Sequence, residues 1–328
     1  MDNQSIRKGI GARLGKRTGN QLLLLSALVI FLLIFSFVTN GKLFRVSNIK
    51  SIAASMIFLI LSGYGMMFVF GSGLIDLSIG ANILLSGAVG AYAGQMTGGV
   101  GGVIVFLAVS ILCSILLGQI SVQCTLKLQI PAWIAGLGSG LILESLLNIW
   151  NQSAGLPKIA SDPLLTFFGT SPGMYILVGV AILLAFFIYN KTTIGINLQA
   201  VGGNAPVARN MGIPVSRTII FSTLIGGAFV GLASTFNMAN TGFVNPQLNL
   251  GSMSTIFRVL AVVLLADSLI SIFTQPVAII YSSALIAISL NIFVLLTGKT
   301  GTELNFFLGL LVIAAGVLSH VGHKGVVK

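Results

Sequence analysis

The sequence predicts an all-α integral membrane protein with about ten transmembrane helices, and three observations carry that reading. Of the 328 residues, 55% are hydrophobic and only 7% are charged, and the mean hydropathy of +1.04 lies far above that of soluble domains. Apolar runs of roughly 17 to 25 residues recur along nearly the whole chain, each long enough to cross a hydrocarbon core of about 30 Å as a helix. Apolar and polar residues do not alternate along these runs, which excludes the dyad pattern of a membrane β-barrel.

In chain order, a basic tail (1–20) precedes a run too long for a signal-peptide core and without an obvious cleavage site, so the run reads as a retained span. The spans then fall at 21–39, 51–70, 79–97, 101–119, 131–150, 174–189, 218–238, 254–268, 276–296 and 303–320. They form one transmembrane domain over 21–320, followed by a short tail at 321–328. Pro276 is the main divider of the stretch 254–296, which Arg258 and Asp267 also interrupt. The 40 glycines and the Ala/Ser-rich runs suit close helix packing in lipid, where small residues let backbones approach.

The basic residues orient the spans. With the N-terminal tail inside, cytoplasmic segments hold Arg7, Lys8, Arg13, Lys16, Arg17, Lys127, Lys191, Arg209, Arg217, Lys324 and Lys328. External segments hold only Lys42, Arg45, Lys50, Lys158 and Lys299. This excess puts both termini in the cytoplasm. It also accounts for the net charge of +11 without nucleic acid. The external segment 151–172 is long enough for a short amphipathic helix against the membrane, and 190–217 is the longest polar connection, on the inside.

Catalytic and cofactor motifs are missing. GIGARLGKRT near the N-terminus imitates a phosphate loop, but a required Gly is lacking and Arg17 stands at the Ser/Thr position. A juxtamembrane basic anchor for anionic lipid is the better reading. Cys113 and Cys124 have no metal or disulfide spacing, and His320 and His323 sit at the last membrane exit. No metal site, nucleophile–base pair or dinucleotide fingerprint is present, so the chain is expected to be a non-catalytic subunit with no cofactor of its own.

Ionisable groups in spans are costly and therefore informative. Glu144, with Asn148 one turn later and Asn151 nearby, either lines a polar pathway for a hydroxylated solute or hydrogen-bonds a neighbour. Arg258 and Asp267 are about 13.5 Å apart along a helix, too far to pair. Arg258 is expected to reach the outer interface and is a further pathway candidate. Asp267 is expected to reach the inner interface or a partner chain.

Two polar segments carry local signals. In GSGLIDLSIG (71–80), Gly71 and Gly73 loosen a helix end, and Asp76 or Ser78 suits the exposed amides and positive dipole end of the next helix. In 190–217, Asn204 is placed to cap a short helix over 205–211, with Pro206 in its first turn and Gly212 as a left-handed terminator. A doubly capped helix projecting between two spans reads as a docking element.

These two segments resemble the permease subunits of ribose-type ABC importers. GLIDLSIG at 73–80 is similar to the family's G-G-I-D-L-S-V-G, with Leu74 in place of the second Gly and with Gly73, Asp76, Ser78 and Gly80 matching. The 190–217 segment matches the family's coupling motif at Gly195, Ala200, Gly202, Gly203, Asn204, Ala208, Arg209, Gly212 and Ile213, with Ile196 in place of Arg. The resemblance covers most of the chain. It implies the type II (vitamin B12 importer-like) ABC importer permease fold in a bacterial inner membrane, importing a sugar or sugar-like solute. It further implies that residues 202–212, including Ala205, Val207, Asn210 and Met211, dock on an ABC ATPase subunit that binds ATP and Mg. An external solute-binding protein would deliver substrate, and the pore would form between this chain and a second permease copy or a paralogous permease. The acidic position of the family's G-Y-E-L is Thr255 here and its Gly-Gly pair is Leu265-Ala266, with later glycines replaced at Ser271 and Ile272. Such losses favour a paralogous partner that keeps the glycine-rich turn. The alternative from another class is a self-sufficient secondary carrier or facilitator.

Overall fold

In the computed structural model, the backbone is described for residues 3–323 and the side chains for 18–320. The lipid-anchor expectation for Arg7 to Arg17, and the tail beyond 320 with His323, Lys324 and Lys328, therefore lie outside the described side chains. The described chain is helical: α1 Asn3–Val38, α2 Val46–Phe70, α3 Ile79–Thr97, α4 Gly99–Leu128, α5 Ala132–Ala154 and α6 Gly173–Lys191. There follow α7 Thr193–Gly203, α8 Ala205–Asn210, α9 Val215–Thr241, α10 Met253–Ser268, α11 Gln275–Thr297 and α12 Thr302–His323. Among the described residues the sole β feature is an isolated bridge between Lys158 and Phe243.

Among the described residues, eight of these helices are long and apolar enough to cross a membrane, against the ten spans expected. The two that fall short are α3 and α10. Asn82, Ser86, Gln95 and Thr97 dilute the hydropathy of α3. Helix α10 has 16 residues, a length of about 24 Å at the standard rise.

The chain divides into two compact units, one comprising Ala54–Val263 and the other the segments on either side of it. In the first unit, α3, α4 and α9 approach closely and share buried polar bonds. Ser86 donates to Ser234 at 2.9 Å, Ser114 to the Gly227 carbonyl at 2.9 Å, and the Asn82 amide to the Ser114 carbonyl at 3.0 Å. Such bonds tie helices together where lipid supplies no hydrophobic force. Phe68 of α2 stacks on Phe229 of α9 with ring centroids 5.6 Å apart.

The segment 155–169 does not form the expected amphipathic helix; its helical content is a single 3-10 turn at Phe167–Gly169. It is held instead by packing and local bonds. Ile159 and Leu165 are buried beneath α3, α5 and α9 residues, the Ile159 amide donates to the Gly242 carbonyl at 2.8 Å, and Asp162 accepts from the Leu164 amide at 2.9 Å.

In the second unit, Asn48 and Asn291 exchange a reciprocal amide pair at 3.0 and 2.9 Å, and Tyr281 donates to the Leu24 carbonyl at 3.0 Å. Ser319 of α12, next to His320, donates to the Asp267 carboxylate at 2.8 Å. Helix α10 ends at Ser268 and α11 resumes with Pro276 in its first turn, so the division falls where the proline predicted.

Candidate functional site

Helix α3 begins in the turn that follows Phe70. Gly73 takes the left-handed conformation (φ +81°) that lets the chain reverse. The Asp76 side chain, only 4% exposed, accepts from the Ser78 amide at 2.9 Å. Ser78 occupies the N-cap position but makes no side-chain cap bond, so Asp76 is the residue that meets the start of α3. The turn lies against α5 so closely that a Cβ on Gly136 would stand 2.5 Å from the Leu77 nitrogen.

The start of α10 lies beside the same place. A Cβ on Gly80 would stand 2.5 Å from the Ser252 carbonyl oxygen and 3.0 Å from the Ile256 side chain. Asn249 and Leu250, at φ +55° and +61°, bend the chain just before α10. A leucine there is strained, because its Cβ crowds the backbone. Glu144 stabilises the bend: its two carboxylate oxygens accept from the Leu250 amide at 2.9 Å and the Ser252 amide at 2.8 Å. Asn148, one turn along α5, donates to the Gln247 carbonyl. Of the two readings of Glu144 and Asn148, the geometry has the neighbour-bonding one, and Glu144 is 2% exposed. The sequence carried no sign of their partner segment, since it lies about a hundred residues away.

Glu144 also fixes depth. It sits twelve residues into α5, about 18 Å along the helix. Ser252 lies beside Glu144 and Ile256 beside Gly80, while Ser78 lies beside Gly140, closer to the start of α5. Helix α10 therefore runs opposite to α5. Arg258, two residues beyond Ile256, falls within the length of α5 and does not reach past its end.

The polar segment 190–217 holds two short helices. Thr192 caps α7, its hydroxyl accepting from the Gly195 amide, and Asn204 caps α8, its carbonyl accepting from the Val207 amide at 3.1 Å. Pro206 stands in the first turn of α8, and Gly212 follows at φ +83°. Helix α8 buries Ala208 in a cluster with Val122, Val201, Val215 and Ile219, against which Leu74 also packs. Its other face presents Val207 and Met211, 51% and 76% exposed, beside Arg209 and Asn210. We expect Asn204→Ala to destabilise the segment by about 1 kcal/mol, read as faster amide exchange at Val207 with the rest of the protein unchanged.

The two polar segments meet. A Cβ on Gly202 would collide with the Gly71 carbonyl oxygen, and Leu74 lies on the α8 cluster. The structure thus brings Gly73, Asp76, Ser78 and Gly80 to one side of a junction whose other side is Gly202, Gly203 and the segment Asn204–Gly212. Glu144 and Asn148 lie on α5, and Arg258 on α10 two residues beyond Ile256, whose side chain is the one that meets Gly80. Gly71 was missed as a contact residue, although its pairing with a second glycine-rich segment was the available signal.

This is a multi-pass helical membrane protein in which a polar, capped helix pair packs on a turn between membrane helices. Residues 48–316 match the family described as branched-chain amino acid transport system / permease component, and the chain belongs to that family. It is 26% identical over 309 residues to a fructose import permease protein of Rhizobium meliloti, covering 89% of this chain and 82% of that one. It is 27% identical over 214 residues to a ribose import permease protein of Haemophilus influenzae, covering 63% of this chain and 65% of the relative, just under two thirds of its length. A third match is 32% identical over 131 residues, to an autoinducer 2 import system permease protein of Klebsiella pneumoniae, covering 38% and 37%.

Proposed function

We propose that this chain is the membrane subunit of an ATP-driven importer for a small hydroxylated solute, a sugar or sugar-like compound, in a bacterial inner membrane. The observation that carries the proposal is the contact of Gly202, at the end of α7 just before α8, with Gly71, just before the turn where α3 begins. The membership in a transport-system permease family and the import permeases among its relatives support it.

In this reading the fold is of type II with ten membrane segments, the less apolar α3 and the shorter α10 completing the count, and both termini are cytoplasmic. A separate ATPase binds ATP and Mg and grips α8. Val207 and Met211 are apolar, exposed and set in a polar segment, the pattern expected of a protein contact surface. Because Ala208 anchors α8 to α7, α4 and α9, displacement of α8 is transmitted to the 71–78 turn through the glycine contact. The pore forms between two permease chains, and a solute-binding protein delivers substrate from outside. The residues at 255, 265, 266, 271 and 272 favour a paralogous second permease.

The docking role is tested with the pair Val207→Asp and Met211→Asp. Neither side chain is buried, so the melting temperature of the purified chain should hold while ATPase co-purification is lost and uptake falls at least tenfold. Undiminished uptake and ATPase retention would remove the docking role.

A further inference from the structure

We propose, resting on the importer reading above, that Arg258 receives an anionic group of the transported solute, so that the substrate is an acidic sugar derivative bearing a carboxylate or phosphate. Arg258 lies in the second turn of α10, within the membrane-spanning layer defined by α5. A guanidinium at that depth is costly unless paired or placed in a watered pathway. Its Nε is buried, and no hydrogen-bond or ion-pair partner is found for it among the described residues.

The carboxylates of this chain do not supply the missing partner. The sequence has six acidic residues, of which Asp2 lies outside the described ones. Asp76 takes the Ser78 amide, Glu144 takes the amides of Leu250 and Ser252, and Asp162 takes the Leu164 amide. Asp267 is bonded by Ser319 and Glu303 by Lys299 at 2.8 Å.

Asp76 and Glu144 accept from backbone amides of the turns before α3 and α10, and neither forms an ion pair with the Arg258 guanidinium. Its fork of N–H donors matches a carboxylate or phosphate in two-point contact.

The test is ATP-dependent uptake by vesicles holding the chain with its co-purified partners. The probes are D-galacturonate, D-gluconate and D-ribose 5-phosphate, each set against its neutral parent, D-galactose, D-glucose or D-ribose. The expected result is at least a tenfold preference for one acidic probe, lost in Arg258→Met and partly kept in Arg258→Lys. No preference for any acid, or a preference that survives in Arg258→Met, overturns the proposal. An effect of Arg258→Met that disappears when phosphatidylglycerol is omitted assigns the guanidinium to a lipid headgroup and overturns it too. So does loss of a second permease from the purified variant. Neutral-sugar uptake that requires ATP, without acid preference, removes this inference alone, whereas uptake without ATP removes the importer reading.

Discussion

Glu144→Ala is expected to lower the stability of the protein by about 3 kcal/mol or more, because two charge-assisted hydrogen bonds of roughly 1.5 to 3 kcal/mol each are lost together. The Leu250 and Ser252 amides would be left without their acceptor, beside a backbone bend that is itself strained at Leu250. The melting temperature in detergent should drop, and proteolysis should appear first in the segment 243–252. Glu144→Gln keeps the shape and one good acceptor oxygen, so its loss should be about half as large. The order wild type, Gln, Ala is the signature of a clamp. A pathway group would instead give a Gln variant with altered uptake and an unchanged melting temperature.

Gly202→Val should abolish coupling with a smaller effect on stability. The first added carbon meets the Gly71 backbone carbonyl, and backbone cannot rotate away as a flexible side chain can. Overpacking of this kind costs about 1 to 3 kcal/mol, and here the strain is relieved by lifting α7 from the turn. Uptake should fall below a tenth of wild type while the ATPase still co-purifies, since Val207 on α8 and Met211 at its C-cap remain exposed. Gly203→Ala is the matched control: a Cβ at Gly203 meets nothing within 4 Å, so uptake should be retained.

Much of the helical layout is legible in the chain because hydropathy and helix signals act locally. The run read as 79–97 is the helix Ile79–Thr97, and the short helix read as 205–211 is Ala205–Asn210, because its cap depends on Asn204 and Val207, three residues apart. Pro276 likewise marks the start of α11. What the chain does not disclose are features decided by distant partners. Glu144 reads as a candidate pathway group until Leu250 and Ser252 are seen to occupy its oxygens. Segment 151–172 has the length for an amphipathic helix, yet Ile159 and Leu165 pack beneath α3, α5 and α9 and the backbone bonds to Gly242 instead. Ser319, the partner of Asp267, lies 52 residues away and is likewise not announced by the sequence.

The meeting of the two glycine-rich segments lies between these cases. Each segment is conspicuous by itself, but nothing in their spacing predicts that Gly71 and Gly202 touch. That contact turns two separate motifs into a route from α8 to the α3 start, and it is why the docking helix is read as a drive element.

Transport by this chain is proposed to be driven through α8 by a separate ATPase. Solute uptake into proteoliposomes decides it, with the chain alone or with its co-purified ATPase, second permease and binding protein, and with or without ATP at the ATPase face. Uptake is expected only from the full assembly with ATP, and is lost in Gly202→Val. Uptake by the chain alone, without ATP, would refute an ATPase-driven importer.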